Sequence, residues 1–161
     1  MKKFLFFLLF LTGCGFTPLY SQNQNSALKD VQIEVMPIAE QYGAKMRRII
    51  QNALPVYNQE IPTRYQLVVQ PPVFSAGNRT ITNDEFASMM AVTAKTTYHL
   101  ISIQSGKSLF SDTLSSVSSY AVVKDPYATT VAKNHIQQEL SEQLANQIVL
   151  DVLAKLSQES Q

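Results

Sequence analysis

Apolar and polar positions along the chain predict four strands and two helices. Val31, Ile33 and Val35 alternate with Gln32, Glu34 and Met36 before Pro37, the pattern of a half-buried strand closed by a proline. From Ala39 to Leu54 the apolar positions Tyr42, Met46, Ile49, Ile50, Ala53 and Leu54 return at three- and four-residue spacing, which is one face of a helix. Pro55 and Pro62 bracket a connection, after which Tyr65, Leu67 and Val69 alternate with Arg64, Gln66 and Gln70 as a second strand. Pro71 and Pro72 interrupt that strand at a sheet edge or bulge, because neither can donate to a ladder. Ser75 to Glu85 collects Gly, Asn, Thr and Asp and reads as a loop.

Between Ala87 and Gln104, Met90, Val92, Ala94, Thr96, Tyr98 and Leu100 share one parity, and Ile101 and Ile103 switch to the other. The switch predicts a long strand with a bulge or strong twist near Leu100. Ser105, Gly106 and Lys107 form a tight turn into the Ser/Thr-rich, β-favouring stretch Leu109 to Tyr120, so the two strands make an antiparallel hairpin. Asp125 and Pro126 supply the N-cap and first turn of a helix running to about Leu156. Its stripe is Tyr127, Val131, Leu140, Leu144, Ile148, Val152 and Leu156. At ~1.5 Å per residue this helix spans about 45 Å, enough to cross a whole sheet. The order is therefore β-α-β-β-β-α. Both helix stripes are buried most simply if the two helices pack on one face of a mixed four-stranded sheet, an α+β fold.

The start of the chain changes the picture. Lys2 and Lys3 precede an unbroken apolar run from Phe4 to Leu11, about half the ~20 residues that a bilayer-spanning helix needs. Leu11, Thr12, Gly13 and Cys14 then fill the four places of a bacterial lipobox, an aliphatic residue and two small ones before the acylated thiol. Residues 1–13 are expected to be a lipoprotein signal peptide that is removed. Residues 14–29 form the lipidated N-terminus and a polar tether, 30–156 a single domain, and 157–161 a polar tail. Acyl and diacylglycerol chains on Cys14, each methylene contributing about 0.8 kcal/mol of burial, would hold the protein at a membrane surface.

Composition narrows the chemistry. The formal charge of +1 derives partly from Lys2 and Lys3, so the mature chain is near neutral and has no general affinity for nucleic acid. Cys14 is the single cysteine, and its acylation leaves no thiol for a disulfide, a metal or a nucleophile. His99 and His135 lack ligand spacing, and the pairs Asp84 with Glu85 and Glu139 with Glu142 read as solvated surface. No nucleophile elbow, phosphate-cradling glycine loop or zinc-protease motif occurs. The expectation is a protein without enzymatic activity, metal or cofactor. Binding features remain: the basic residues Arg79, Lys107, Lys124 and Lys133 in turns or early in the last helix, and the Ser/Thr-rich run Ser111 to Ser119 as a free edge.

Two stretches resemble the lipopolysaccharide-assembly lipoprotein family LptE in its alphaproteobacterial form. Cys14 to Tyr20, CGFTPLY, matches the family's mature start CGF-x-PLY. Val117 to Leu153 looks like its strand ending in SYN-VV followed by a YAT-containing segment entering the last helix. Ala121, and Asn134 with His135, depart from that pattern. The resemblance implies two helices on a four-stranded sheet, anchored to the periplasmic side of the outer membrane. It further implies a plug inside an LptD-type β-barrel that helps the barrel assemble and contacts lipopolysaccharide. By position in the pattern, Arg79, in the loop before the hairpin, and Lys133, in the first turns of the last helix, would meet the lipid phosphates. An accessory lipoprotein of an ABC or MCE-type phospholipid transport system is the alternative that the lipobox and domain class leave open.

Overall fold

The computed structural model describes residues 32–54, 62–80 and 88–159, and of 78–80, 88 and 159 the backbone alone. The expected signal peptide, Cys14 and the expected tether, the connection after Leu54, and Asp84 with Glu85 lie outside the described residues. The elements in order are β1 (Gln32–Val35), α1 (Gly43–Ala53), β2 (Thr63–Val69), β3 (Val73–Thr80), β4 (Ser88–Ser102), β5 (Ser108–Val122) and α2 (Pro126–Glu159).

The sheet has five strands where the sequence pattern predicts four. The added strand is β3, in a stretch whose Gly, Asn and Ser content reads as a loop. It gains its ladder from β4, pairing antiparallel from Val73 opposite Lys95 to Thr80 opposite Met89. β2 takes the other end of the same strand, from Val69 opposite Tyr98 to Tyr65 opposite Ser102. β2 and β3 thus lie end to end along one edge of β4, separated by Pro71 and Pro72, which lack the N–H groups needed to continue one strand. The junction is closed by other donors: Gln70 N–H donates to Thr97 O at 2.8 Å, and Thr96 Oγ1 donates to Gln70 O at 2.6 Å. β1 runs parallel to β2, joined to it by the crossover that contains α1, and β5 lies antiparallel along the other edge of β4.

The hairpin follows the parity reading closely. Val92, Ala94, Thr96, Tyr98 and Leu100 are all buried on the helix-covered face. The register shifts between Leu100 and Ile101, where Leu100 opposes Phe110 and Ile101 opposes Ser108, so the extra residue is Leu109 on β5. At the turn, Gly106 takes φ 66°, and its N–H donates to Ser102 O at 2.8 Å.

Both helices lie on one face, as expected. Met46 and Ile50 of α1 and Leu140, Leu144, Ile148 and Val152 of α2 are fully buried against Leu67, Val92, Tyr98 and Leu100. Each such side chain contributes about 1.5–3 kcal/mol of burial. α1 begins at Gly43 rather than Ala39 because Glu40 has φ 70° and breaks the helical path. Asp125 caps α2 as predicted: its Oδ1 accepts from Tyr127 N–H at 2.9 Å, and its carbonyl accepts from Thr129 N–H at 3.1 Å. α2 continues past Leu156 to Glu159, into the predicted tail.

These pairings place the ends of the domain. Gln32 opposes Thr63, and Tyr65 opposes Ser102, so the chain enters the fold beside the hairpin turn. Ser88 opposes Val122 at the far end, where α2 starts.

Candidate functional site

The sequence-predicted contact residues gather partly at that far end. Arg79 lies in β3 rather than in a loop, on the step between Asn78 and Thr80 where the register shifts against β4. The correction has the same cause as the strand count: pairing with β4 outweighs turn-prone composition. Thr80 opposes Met89, and Met89 opposes Ala121 on β5, so this step belongs to the end from which α2 departs. Lys133 is exposed on α2, and Lys124 lies between β5 and α2. Lys107 is in the hairpin turn, at the opposite end. Three of the four basic candidates therefore share one end of the sheet.

That end is also apolar. Tyr127 is 78% exposed and Val131, one turn later, 49%; Val123, four residues before Tyr127, and Met89, opposite Ala121 in the sheet, are exposed too. Thr129 Oγ1 donates to Val123 O and accepts from Val123 N–H, both at 3.2 Å, which clasps the β5–α2 connection to the helix start. The exposed ring of Tyr127 and side chain of Val131, one turn apart, suit an apolar partner, whereas Lys133, two residues beyond Val131, lies on another side of α2.

A second constellation, missed in the sequence, ties α2 to the hairpin near its turn. The Tyr98 ring is buried, and its hydroxyl donates to Asp151. Lys155 Nζ donates to Asp151 Oδ2 and Asp112 Oδ2 at 2.9 Å each, and to the Tyr98 hydroxyl at 3.1 Å. Burial and the neighbouring Asp151 push the Tyr98 phenol up to about 12. Lys155 is held above the ordinary lysine value by Asp112 and Asp151, which outweigh its partial desolvation. The hydrogen bond from Lys155 holds the Asp112 carboxyl below its usual range. Every member of this group is satisfied by another, which makes it a clamp rather than an open reactive site. The spacing of Asp151 and Lys155 is legible in the sequence as a helical ion pair. Their distant partners are not.

The other carboxylates are also engaged. Glu142 forms an ion pair with Lys45, which together with Gln138 draws its carboxyl below the usual range. Glu139 accepts from Gln143 Nε2 at 3.1 Å. His99 is half-buried opposite Ser111, and His135 is exposed on α2. Among the described residues no group of three or more His, Cys, Asp or Glu could hold a metal ion. No described helix is long and apolar enough to cross a membrane.

No family model matches the chain, and no curated protein matches it in sequence. The fold recurs in solved structures. Uncharacterized lipoprotein B of Nitrosomonas europaea aligns with TM-score 0.59 and 10% identity over 80% of this chain and 88% of its own. A candidate lipoprotein of Caulobacter crescentus aligns with TM-score 0.54 and 19% identity over 84% of this chain and 96% of its own. Rare lipoprotein B of Shewanella oneidensis aligns with TM-score 0.51 and 10% identity over 81% and 98%. At these identities the likeness is one of fold. This α+β domain has the architecture of those lipoprotein domains.

Proposed function

We propose that this chain is an outer-membrane lipoprotein, held by acyl chains on Cys14, that plugs an LptD-type β-barrel, assists its assembly and contacts lipopolysaccharide during insertion into the outer leaflet. The observation that carries the reading is the lipobox and mature start Cys14 to Tyr20 ahead of a domain whose fold recurs in lipoproteins, rare lipoprotein B among them. The start of α2 supports it, with the exposed Tyr127 and Val131 offering apolar contacts and the exposed Lys133, on another side of the helix, a cationic one, the kinds of contact an acylated, phosphorylated glycolipid would use. Insertion into a barrel needs no catalytic group. The satisfied Tyr98–Lys155 clamp fits a domain that works by shape.

Affinity capture of the full chain from detergent-solubilised outer membrane is expected to recover a large β-barrel protein. Repeated capture without one overturns the proposal. The lipobox equally suits an accessory lipoprotein of an ABC or MCE-type phospholipid transporter. Depletion that disturbs phospholipid asymmetry while surface lipopolysaccharide stays normal would favour that second reading.

A further inference from the structure

The front of α2 is held differently from the rest of the helix. Leu140, Leu144, Ile148 and Val152 are fully buried, and Asp151 with Lys155 ties that part to the hairpin. From Pro126 to Glu139 no side chain is buried, and Ala132 and Ile136 reach the core only in part. At ~1.5 Å per residue this front is about 20 Å long. Its trailing end is fixed where the Tyr42 hydroxyl donates to Gln137 Oε1 at 3.2 Å. Its leading end is fixed by Thr129, whose Oγ1 accepts from Val123 N–H and donates to Val123 O, both at 3.2 Å. The helix does not need this hydroxyl for its own start, because Asp125 already takes up Tyr127 N–H and Thr129 N–H. The next hydroxyl along, Thr130 Oγ1, bonds inside the helix, donating to Pro126 O at 2.9 Å.

We propose that Thr129 is a positioning residue for the lipopolysaccharide contact, an inference that rests on the function proposed above. Tyr127, Val131 and Lys133, the contact residues of that reading on α2, all stand on the front of the helix. Core packing sets the direction of α2 from Leu140 onward, and the clasp to Val123 sets where its front lies against the end of β5. One hydroxyl serves both backbone groups of Val123, donating once and accepting once; valine, of the same shape, makes neither bond, and serine can make both. With the clasp closed, the three side chains meet a ligand at a fixed place relative to the sheet. With it open, the front is a lever held only from Gln137 onward, and binding must first order it, which lowers affinity although every contact group is still present. Thr129 is itself partly buried and acts through these residues.

The test measures the binding of purified lipopolysaccharide to the full chain in detergent, together with melting temperature and amide exchange. Thr129→Val is expected to weaken binding roughly ten-fold, the scale of one or two hydrogen bonds in water. Exchange at Val123 N–H should quicken, while the melting temperature stays within a few degrees because the buried part of α2 begins only at Leu140. Thr129→Ser, which keeps the hydroxyl, is expected to bind like the unsubstituted chain. So is Thr130→Val, which removes a hydroxyl whose bond lies within the helix. Undiminished binding by Thr129→Val overturns the proposal, as does a Thr129→Ser variant that loses as much, or a loss that merely follows the melting temperature across the three variants. An unsubstituted chain that binds no lipopolysaccharide overturns the proposed contact itself and this inference with it, an outcome told apart because no variant then differs from its parent.

Discussion

Tyr98 of β4 and Asp151 of α2 meet in a hydrogen bond donated by the phenol, between residues 53 positions apart in the chain. The contact fastens the last third of α2 to the middle layer of the sheet, and Lys155 extends it to β5 through Asp112. Tyr98→Phe keeps the buried ring and removes the donor. The expected loss is about 1.5 kcal/mol, read as a lower urea midpoint with unchanged slope.

The same group sets the alkaline limit. Tyr98 titrates at about 12 in the fold against 10.0 ordinarily, and Lys155 is raised in the same direction. Groups with raised folded values stabilise fully below their unfolded values, and that contribution is lost as pH climbs through the folded ones. Stability is expected to hold from neutral pH to about pH 10 and then decline. Tyr98→Phe should flatten the phenol's share of this decline in urea titrations at stepped pH. Asp112 is lowered, so its smaller contribution is present above the carboxylate range and lost on acidification.

At the proline break, Thr96→Val removes the hydroxyl that donates to Gln70 O and leaves an isosteric apolar group beside that carbonyl. A cost of about 1–2 kcal/mol is expected. Amide exchange should quicken at Gln70, whose N–H bonds to Thr97 O, sooner than at the hairpin turn.

Gly43 opens α1 against the chain just before it. A Cβ there would lie 2.2 Å from Ile38 O, so Gly43→Ala must displace backbone rather than a flexible side chain. About 1–3 kcal/mol of destabilisation is expected by thermal melting, whereas Ala44→Gly, at an exposed helical position, should cost about 1 kcal/mol or less.

For the proposed contact, Arg79→Glu with Lys133→Glu is expected to weaken lipopolysaccharide binding at low and moderate salt while leaving the melting temperature within a few degrees. Unchanged binding would show that these residues serve only as solubilising charge.

Most elements are legible in the sequence because their signals are local. The parity of Val92 to Leu100 marks the buried face of β4, and its switch at Ile101 marks the register shift. Asp125 and Pro126 fix the start of α2. β3 is not legible, because Ser75, Gly77 and Asn78 have little strand preference of their own and are ordered by a partner strand that local pattern does not reveal. The beginning of α1 differs from its expected place for a related reason: nothing in the residue type of Glu40 announces φ 70°. At the candidate site, Lys133 lies on α2 as expected, and Arg79, expected in a loop, lies in a strand. The Tyr98–Lys155 clamp is invisible in the sequence because its members come from three elements.

The opposed ends of the domain also make it a strut. The chain enters at Gln32 beside the hairpin turn, whereas Tyr127 sits beyond the other end of β4, about 45–50 Å away at ~3.3 Å per residue. Force applied between an anchor ahead of Gln32 and a partner gripping Tyr127 would run along the strands and load the ladder hydrogen bonds together in shear, rather than unzipping them singly. Such a body would keep attachments at Gln32 and Tyr127 at a separation set by the length of one hairpin.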